Sequence, residues 1–358
     1  MQSLRVELGA ESHAAHVGAG LLDETGRLAR KAGLGAGRVL VVTDANVARL
    51  FSARLVAALE ASGFAPRVLE VAPGEPSKSL PTLELVYDAL IEAELDRGGA
   101  VFALGGGVVG DLAGFAAATY MRGIALVQVP TTLVGQVDSA LGGKTAINHP
   151  RAKNLVGAFY QPRLIVADVM TLASLPEREF REGLAEVIKY GAIMDAPMIE
   201  ALEAHLEAIL RREPAVLEEV VTRSLKHKAA VVLSDAHERG LRKILNFGHT
   251  VGHALEASSG YGTFLHGEAV AIGMVAASKL SQAFAELTPA EADRLQQLIA
   301  RAGLPTALPA GWRGEEFVNA LRMDKKRAGD EVEFVLLDRL GDALTRKLTF
   351  AEILAHLG

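Results

Sequence analysis

The chain contains no cysteine among its 358 residues. Disulfide bonds and thiolate chemistry are therefore excluded, and a metal ion would have to be held by histidine, aspartate or glutamate. Long apolar runs are also lacking. The longest, such as 100–104 and 125–129, have the length of a strand and are too short to span a bilayer. The segment Met1–Val6 lacks the apolar core of a signal peptide.

A basic face or arm is absent as well. The formal net charge is −6, with both signs spread along the chain. We therefore expect no nucleic-acid partner and no membrane partner. Half of the residues are apolar, which is enough for a large core, and a chain of this length usually forms two domains. Together these features predict a cytoplasmic α/β enzyme.

The first half alternates short β-rich runs with amphipathic helical stretches such as 46–62 and 79–95. This alternation predicts βαβ units and a mostly parallel, Rossmann-like sheet. The predicted strands are 38–43, 67–71, 100–104, 125–129 and 164–168, with a weaker strand pair within 3–17.

From Glu177 to Gly303 the pattern is almost entirely helical. Pro176 marks a helix start, with Ser174 as a candidate N-cap. We predict an α/β domain over residues 1–172 and a mainly α-helical domain over 173–358. A small hairpin is expected from 332–337 and 345–349, on either side of Gly341.

A glycine-rich segment, 105–111, follows the predicted strand 100–104 and opens a helix. Glycines let the backbone approach a ligand, and a helix N-terminus offers N–H donors to phosphate. The segment matches G-x-G-x-x-G, but the usual ribose-binding acid about 20 residues downstream is missing. Asp44, which ends an earlier strand, is a candidate for that role. A dinucleotide site and a tight structural turn with Asp111 as a helix cap remain equally open.

Further polar residues follow the predicted strand 125–129. Thr131 and Thr132 would lie where α/β proteins bind ligands, although an ST-turn is the ordinary alternative. The segment 138–145 and the pair Lys153–Asn154 bring cations beside a Gly-Gly pair, as an anionic ligand requires. The spacing does not match a Walker A loop. Arg122 adds a further cation.

The strongest chemical signal is a pair of histidines, His249 and His253, four residues apart on a predicted helix and followed by His266. Glu186 and Lys189 share one face of an apolar helix, where a charged pair is costly without a partner. Two histidines and one carboxylate form a common catalytic zinc set. The spacing leaves open which two histidines bind. Further cations that would suit a substrate with carboxylate and phosphate groups are Lys228, Arg242 and Lys325.

With these motifs the chain resembles the bacterial 3-dehydroquinate synthases over essentially its whole length. The matching segments are 73–78, 105–111, 120–123, 129–132, 138–145, 153–162, 183–191, 245–253 and 266–268. The resemblance implies a carbon–oxygen lyase of the shikimate pathway that converts 3-deoxy-D-arabino-heptulosonate 7-phosphate to 3-dehydroquinate and phosphate. It implies transient oxidation by NAD, phosphate elimination, re-reduction and an intramolecular aldol closure.

The resemblance also implies site residues. The metal ligands, for zinc or cobalt, would be Glu186, His249 and His266, with His253 on the substrate side. NAD would be held by Asp44, Asn46, Glu75, Lys78, Gly106, Gly107, Val108, Asp111, Thr131, Thr132, Lys144, Lys153, Thr171, Leu172 and Ser174. The substrate would be surrounded by Asp138, Lys144, Asn154, Lys189, Lys228, Arg242, Asn246, His253 and Lys325. Arg122 would reach the substrate phosphate of a neighbouring subunit, which implies a homodimer.

Three alternatives remain. Another sugar phosphate cyclase, such as a 2-deoxy-scyllo-inosose or epi-valiolone synthase, would share fold, NAD and metal, but the segments 142–146 and 157–162 resemble the dehydroquinate branch. A metal-dependent alcohol or glycerol dehydrogenase would not require so many substrate-facing cations. A non-catalytic NAD- or metal-binding regulator would be expected to have lost some site residues.

Overall fold

A computed structural model describes residues 1–235, 240–260, 263–310, 312, 315–323 and 331–357. The strands are β1 (Gln2–Val6), β2 (His13–Gly18), β3 (Gly37–Asp44), β4 (Phe64–Val71), β5 (Ala100–Gly105), β6 (Ala125–Pro130), β7 (Lys144–His149), β8 (Ala152–Phe159), β9 (Leu164–Asp168), β10 (Glu331–Arg339) and β11 (Asp342–Thr349). The helices are α1 (Thr25–Lys31), α2 (Ala45–Val47), α3 (Ala53–Glu60), α4 (Leu80–Glu92), α5 (Gly107–Thr119), α6 (Glu177–Met194), α7 (Ala196–Leu210), α8 (Pro214–Ser234), α9 (His249–Ser258), α10 (His266–Phe284), α11 (Pro289–Arg301), α12 (Glu315–Met323) and α13 (Phe350–His356).

Seven strands form one sheet in the order β1-β2-β9-β6-β5-β3-β4. All neighbouring strands pair in parallel except β1, which is antiparallel to β2 at one edge. The chain passes from β3 outward to β4 and then returns to place β5 on the other side of β3. The order therefore reverses between β3 and β5, and such a switch point is where open α/β sheets bind ligands.

Both faces of this sheet are buried, as expected for parallel strands covered by helices. Alternate residues of one strand serve the two faces: Leu40 and Val42 pack with α4 and α5, whereas Val39 and Val41 pack with α1 and α3. For this reason the β-rich runs in the sequence are continuously apolar and do not alternate between apolar and polar residues.

The chain divides into two compact units, residues 1–175 with 212–233 and residues 176–211 with 234–358. Helix α8 thus belongs to the first unit for nearly its whole length. The sequence-based division placed the segment 212–233 with the helical half, because a helix pattern does not reveal which core a helix packs against. The second unit contains the remaining helices from α6 onward and the antiparallel hairpin β10–β11.

The predicted α/β fold with a helical second half is confirmed, as are the predicted strands, the pair β1–β2 and the hairpin around Gly341. Two details differ. The N-cap of α6 is Pro176, while the Ser174 hydroxyl donates to the Thr171 carbonyl and closes the preceding turn. The hairpin β7–β8 was not predicted, because much of β8 is exposed and carries no alternating pattern. Among the described residues no helix is both long and apolar enough to cross a membrane.

Candidate active site

Glu186 and Lys189 form an ion pair inside the second unit. They lie three residues apart on α6, and their side chains are 1% and 2% exposed. The Lys189 ammonium donates to Oε2 of Glu186. A buried charge is tolerated only when it is paired or binds a metal. The Lys189 ammonium therefore compensates the charge of the Glu186 carboxylate in an apolar helix and leaves Oε1 on the side that faces two histidines.

Those histidines are His249 and His266, the first residues of α9 and α10. Nε2 of each lies 3.6 Å from Oε1 of Glu186. This separation is too long for a direct hydrogen bond. It is close to the spacing of about 3.4 Å that two ligands take when each lies about 2.1 Å from one tetrahedral ion. Glu186, His249 and His266 offer ligand atoms within 4.8 Å of one another, so the three residues fit one divalent cation.

Glycines bring the three helices together. A Cβ on Gly267 of α10 would lie 2.0 Å from the Glu182 carbonyl oxygen of α6. A Cβ on Gly273 would lie 1.9 Å from the carbonyl oxygen of Gly248, which has φ +80° immediately before His249. Backbone therefore touches backbone at both helix contacts, an approach that only glycine allows. The ligand positions depend on these contacts as much as on the ligands themselves.

The second ring nitrogen of each histidine also has a partner. Nδ1 of His249 lies 3.2 Å from the Phe247 carbonyl oxygen, and Nδ1 of His266 lies 3.5 Å from Oε2 of Glu256. Both partners only accept, so in the neutral form of each ring Nδ1 carries the proton and Nε2 presents its lone pair toward Glu186. Sequence reasoning did not identify Glu256, although its position seven residues after His249 on the same helix is a usable signal.

Burial, and then Lys189, hold the pKa of His249 well below its usual value, so this ring is neutral as a metal ligand must be. For His266, burial alone would lower the pKa. The nearby carboxylates of Glu186 and Glu256 outweigh burial and raise the pKa to about 10. Without a cation, His266 is therefore protonated, and its imidazolium lies between the carboxylates of Glu186 and Glu256.

A second group could also hold a cation, formed by His253, Glu256 and His266. It shares His266 with the first group, and His253 is exposed whereas Glu186 is buried. Ring centroids of His249 and His253 lie 5.4 Å apart, as expected for residues four apart on one helix. The structure thus favours the pair His249 and His266 around the buried carboxylate, which spacing alone had left open.

In the first unit, the glycine-rich segment forms the turn from β5 into α5. Gly106 is the N-cap of α5; no side chain caps this end, and no acidic residue occupies the first turn. Asp111 does not cap the helix, contrary to the alternative considered from the sequence, because its carboxylate accepts from Nζ of Lys78 at 2.7 Å. The N–H groups at this helix start are therefore suited to phosphate. A Cβ on Gly106 would lie 2.9 Å from Cγ2 of Thr132.

Other residues expected at a nucleotide site lie at the same carboxyl edge of the sheet. Asp44 ends β3, beside the end of β5, and its carboxylate caps α2 by accepting from the Asn46 and Val47 N–H groups at 2.9 and 3.1 Å. Thr132 accepts from the Gly135 N–H at 3.0 Å, so the ST-turn expected as an alternative is present. After β9, the 3-10 turn Val169–Ser174 contains three further expected residues, Thr171, Leu172 and Ser174.

A second cluster of charge in the first unit joins Asp138 to Lys228. Nζ of Lys228, on α8, lies 2.7 Å from the Asp138 carbonyl oxygen and 2.9 Å from its Oδ1. Burial raises the pKa of Asp111 in the same unit, although the neighbouring Lys78 opposes this shift. Asp138 and Lys228 are far apart in sequence, and both are expected around the substrate. The contacts of the Lys228 ammonium with Asp138 bring them together.

The remaining expected residues lie on several elements of both units. Arg122 is exposed in a turn where Met121 and Arg122 have φ of +51° and +67°. Lys144 begins β7, Lys153 and Asn154 lie on β8, and Val108 is in the first turn of α5. In the second unit, the turn before α9 contains Arg242, which is 2% exposed, and Asn246. Lys325 lies outside the described residues.

Comparison with known proteins agrees with this geometry. Residues 68–182 match the family model for the 3-dehydroquinate synthase N-terminal region, and residues 183–327 match the model for its C-terminal region. A 3-dehydroquinate synthase from Desulforamulus reducens is 47% identical over 358 residues, covering 100% of this chain and 99% of that protein.

Solved structures of sugar phosphate cyclases share the fold. A 2-deoxy-scyllo-inosose synthase complexed with carbaglucose-6-phosphate, NAD+ and Co2+ superposes with a TM-score of 0.91 at 26% identity, covering 99% of both chains. The 2-epi-5-epi-valiolone synthase ValA of Streptomyces hygroscopicus, with NAD+ and Zn2+ bound, gives a TM-score of 0.88 at 30% identity, covering 96% of this chain and 95% of that one. Since both halves match the family models and the full length matches its members, this chain belongs to the 3-dehydroquinate synthase family.

Proposed function

We propose that the chain converts 3-deoxy-D-arabino-heptulosonate 7-phosphate to 3-dehydroquinate and phosphate. The observation that carries the proposal is the full-length match to 3-dehydroquinate synthases at 47% identity, which exceeds the 26% and 30% identity to the two structurally similar cyclases. The set of Glu186, His249 and His266, with its buried carboxylate, and the uncapped start of α5 supply what a metal- and NAD-dependent reaction needs.

The proposed cofactors are NAD and one divalent ion, zinc or cobalt, as in the two similar cyclases. When bound, NAD would accept and return a hydride, and the ion would polarise the substrate hydroxyls. Glu186, His249 and His266 would hold the ion. The residues proposed for NAD are Asp44, Asn46, Glu75, Lys78, Gly106, Gly107, Val108, Asp111, Thr131, Thr132, Lys144, Lys153, Thr171, Leu172 and Ser174.

The other proposed site residues handle charge and protons. In the second unit, Lys189 pairs with Glu186, and the buried guanidinium of Arg242 suits a carboxylate or phosphate. In the first unit, Lys228 fixes Asp138 through two contacts. Cations that meet phosphate oxygens stabilise the negative charge that grows as phosphate leaves. The residues proposed around the substrate are Asp138, Lys144, Asn154, Lys189, Lys228, Arg242, Asn246, His253 and Lys325.

We also propose that the enzyme is a homodimer in which Arg122 serves the partner subunit. Its exposed side chain stands on left-handed backbone and makes no hydrogen bond or ion pair within the part of the chain that the structure describes. The domain division at 172/173 and the cytoplasmic location expected from the sequence stay predictions.

The decisive experiment is product identification. The purified protein, loaded with zinc or cobalt, is incubated with 3-deoxy-D-arabino-heptulosonate 7-phosphate and substoichiometric NAD. We expect 3-dehydroquinate and one phosphate per substrate, with no lasting NADH absorbance, because the hydride is returned within each turnover. Substrate carrying deuterium at C5 should retain the label. Stoichiometric NADH would instead identify a dehydrogenase.

The similarity to the inosose synthase fold makes another cyclase the second candidate. Glucose 6-phosphate, the sugar that carbaglucose-6-phosphate mimics, is therefore tested in parallel. Turnover of glucose 6-phosphate without turnover of the heptulosonate phosphate would replace the proposal by that alternative.

A further inference from the structure

Asn148 lies at an irregular point of the hairpin β7–β8. The strands pair regularly from Lys144↔Phe159 to Ile147↔Val156, and the register then shifts before His149↔Ala152. Asn148 falls at this shift, and its backbone N–H donates outside the hairpin, to the Lys78 carbonyl oxygen at 2.7 Å. Irregularities of this kind redirect a side chain and are frequent beside active sites.

The Asn148 side chain makes two further hydrogen bonds. Nδ2 donates to Oε1 of Glu75 at 2.7 Å, and Oδ1 accepts from the Asn154 N–H at 3.0 Å. The partners determine the orientation of the amide, because a carboxylate only accepts and a backbone N–H only donates. One residue thus contacts Glu75, Lys78 and Asn154 at once.

These contacts close a network around the buried ammonium of Lys78, which is 4% exposed. Nζ of Lys78 donates to Oδ1 of Asn154 and, at 2.7 Å, to Oδ2 of Asp111, and it lies 3.8 Å from Oε1 of Glu75. Asn154 has φ +57°, a left-handed conformation that needs support from its surroundings. The bond from its N–H to Asn148 supplies that support.

We propose that Asn148 is a positioning residue that holds the cofactor-side pair Glu75 and Lys78 in register with the substrate-side Asn154. The roles of those three residues rest on the proposed function, whereas the contacts of Asn148 do not. If Asn148 only stabilised the hairpin, its bonds would run along the β7–β8 ladder. Two of its three bonds instead reach the segment around Glu75 and Lys78, and the third fixes the strained residue.

The test exchanges donor and acceptor between Asn148 and Glu75. Asn148→Asp keeps the acceptor for the Asn154 N–H but places a second carboxylate against Glu75. We expect NAD affinity to fall about tenfold and the KM for the heptulosonate phosphate to rise by a similar factor.

Glu75→Gln alone probes the loss of the carboxylate. In the double variant the amide introduced at position 75 can donate to the carboxylate introduced at position 148, so the combined loss should be clearly smaller than the product of the two single losses.

His149→Ala is the matched control, since His149 is exposed on the same hairpin and its ring accepts from the Arg151 N–H, outside the network. It should keep wild-type NAD affinity and KM.

If Asn148→Asp is insoluble, Asn148→Ala, which adds no charge, should show the same loss of NAD affinity. NAD titration by fluorescence reports on the network even if the wild type proves inactive on the heptulosonate phosphate, an outcome that would reject the proposed function alone. The positioning role would be overturned if the loss in the double variant equalled the product of the two single losses. It would also be overturned if Asn148→Asp lost thermal stability with unchanged NAD affinity and KM.

Discussion

Lys189 donates to Oε2 of Glu186, while Oε1 of the same carboxylate lies 3.6 Å from Nε2 of both His249 and His266. The lysine thus stabilises a buried charge that a metal ion would also neutralise. Lys189→Met should lower the free energy of unfolding of the metal-free protein by about 3–5 kcal/mol, because it removes the ammonium that pairs with a buried carboxylate. Saturating zinc should recover part of this loss. Urea unfolding with and without zinc measures both effects. Lys279→Met, at an exposed position of α10, is the control and should change neither.

The metal content of two variants can test whether His249 or His253 is the metal ligand. His253→Ala should retain about one zinc per chain after dialysis, since Glu186, His249 and His266 remain. His249→Ala should retain far less, because only two of the three ligands are left. Metal content by mass spectrometry decides between them. Loss of zinc in His253→Ala with retention in His249→Ala would instead assign the ion to the group around Glu256.

The start of α5 should govern NAD affinity. Gly106→Ala would place a methyl group 2.9 Å from Cγ2 of Thr132 and displace the turn whose N–H groups would face the phosphates of NAD. We expect NAD to bind about tenfold or more weakly, measured by calorimetry. Gly35→Ala is the control, because a Cβ at Gly35 meets nothing within 4 Å. Equal affinity in both variants would show that NAD does not use this helix start.

Sharing of Arg122 between subunits can be tested by complementation. Arg122→Ala and His249→Ala should each be nearly inactive. In a mixed dimer, the chain with intact His249 would receive Arg122 from its partner, so one of the two sites is complete. Random mixing should therefore restore about a quarter of wild-type activity. Mixed dimers that form, as shown by differential tagging, but remain inactive would contradict the shared site.

His13 should make stability depend on pH. Burial lowers the pKa of His13, although the Glu11 backbone carbonyl partly opposes this, so the ring stays neutral in the folded protein. The unfolded chain takes up a proton near its ordinary pKa of 6.5, whereas the folded chain does so only at lower pH. The free energy of unfolding should therefore fall as the pH drops below about 6.5. Above that pH, His13 should contribute no pH dependence.

His13→Gln removes this titration, so its stability relative to the wild type should improve as the pH falls from about 7.5 to about 5. Urea unfolding at several pH values measures the difference. The exposed His205→Gln variant corrects for the loss of one imidazole from the unfolded chain. A difference between His13→Gln and wild type that stays constant with pH would show that His13 has no part in the pH dependence.

Local patterns determined much of this fold. Buried β-rich runs and amphipathic stretches are set by the period of side chains along the chain, so the strands of the main sheet and the helical second half were predictable. The glycine-rich turn after β5 and the histidine-rich segment were recognisable too, since glycine freedom and ligand chemistry belong to residue types. The absence of cysteine limited any metal site to nitrogen and oxygen ligands.

Tertiary structure decided what depends on contacts between distant segments. The packing of α6 and α9 against α10 through Gly267 and Gly273 selects His266, with His249, as partner of the buried Glu186. The assignment of α8 to the first unit likewise follows from packing. Asn148 has no sequence signal, because its role arises from hydrogen bonds to Glu75 and Lys78, which are distant in sequence, and such contacts exist only once the chain has folded.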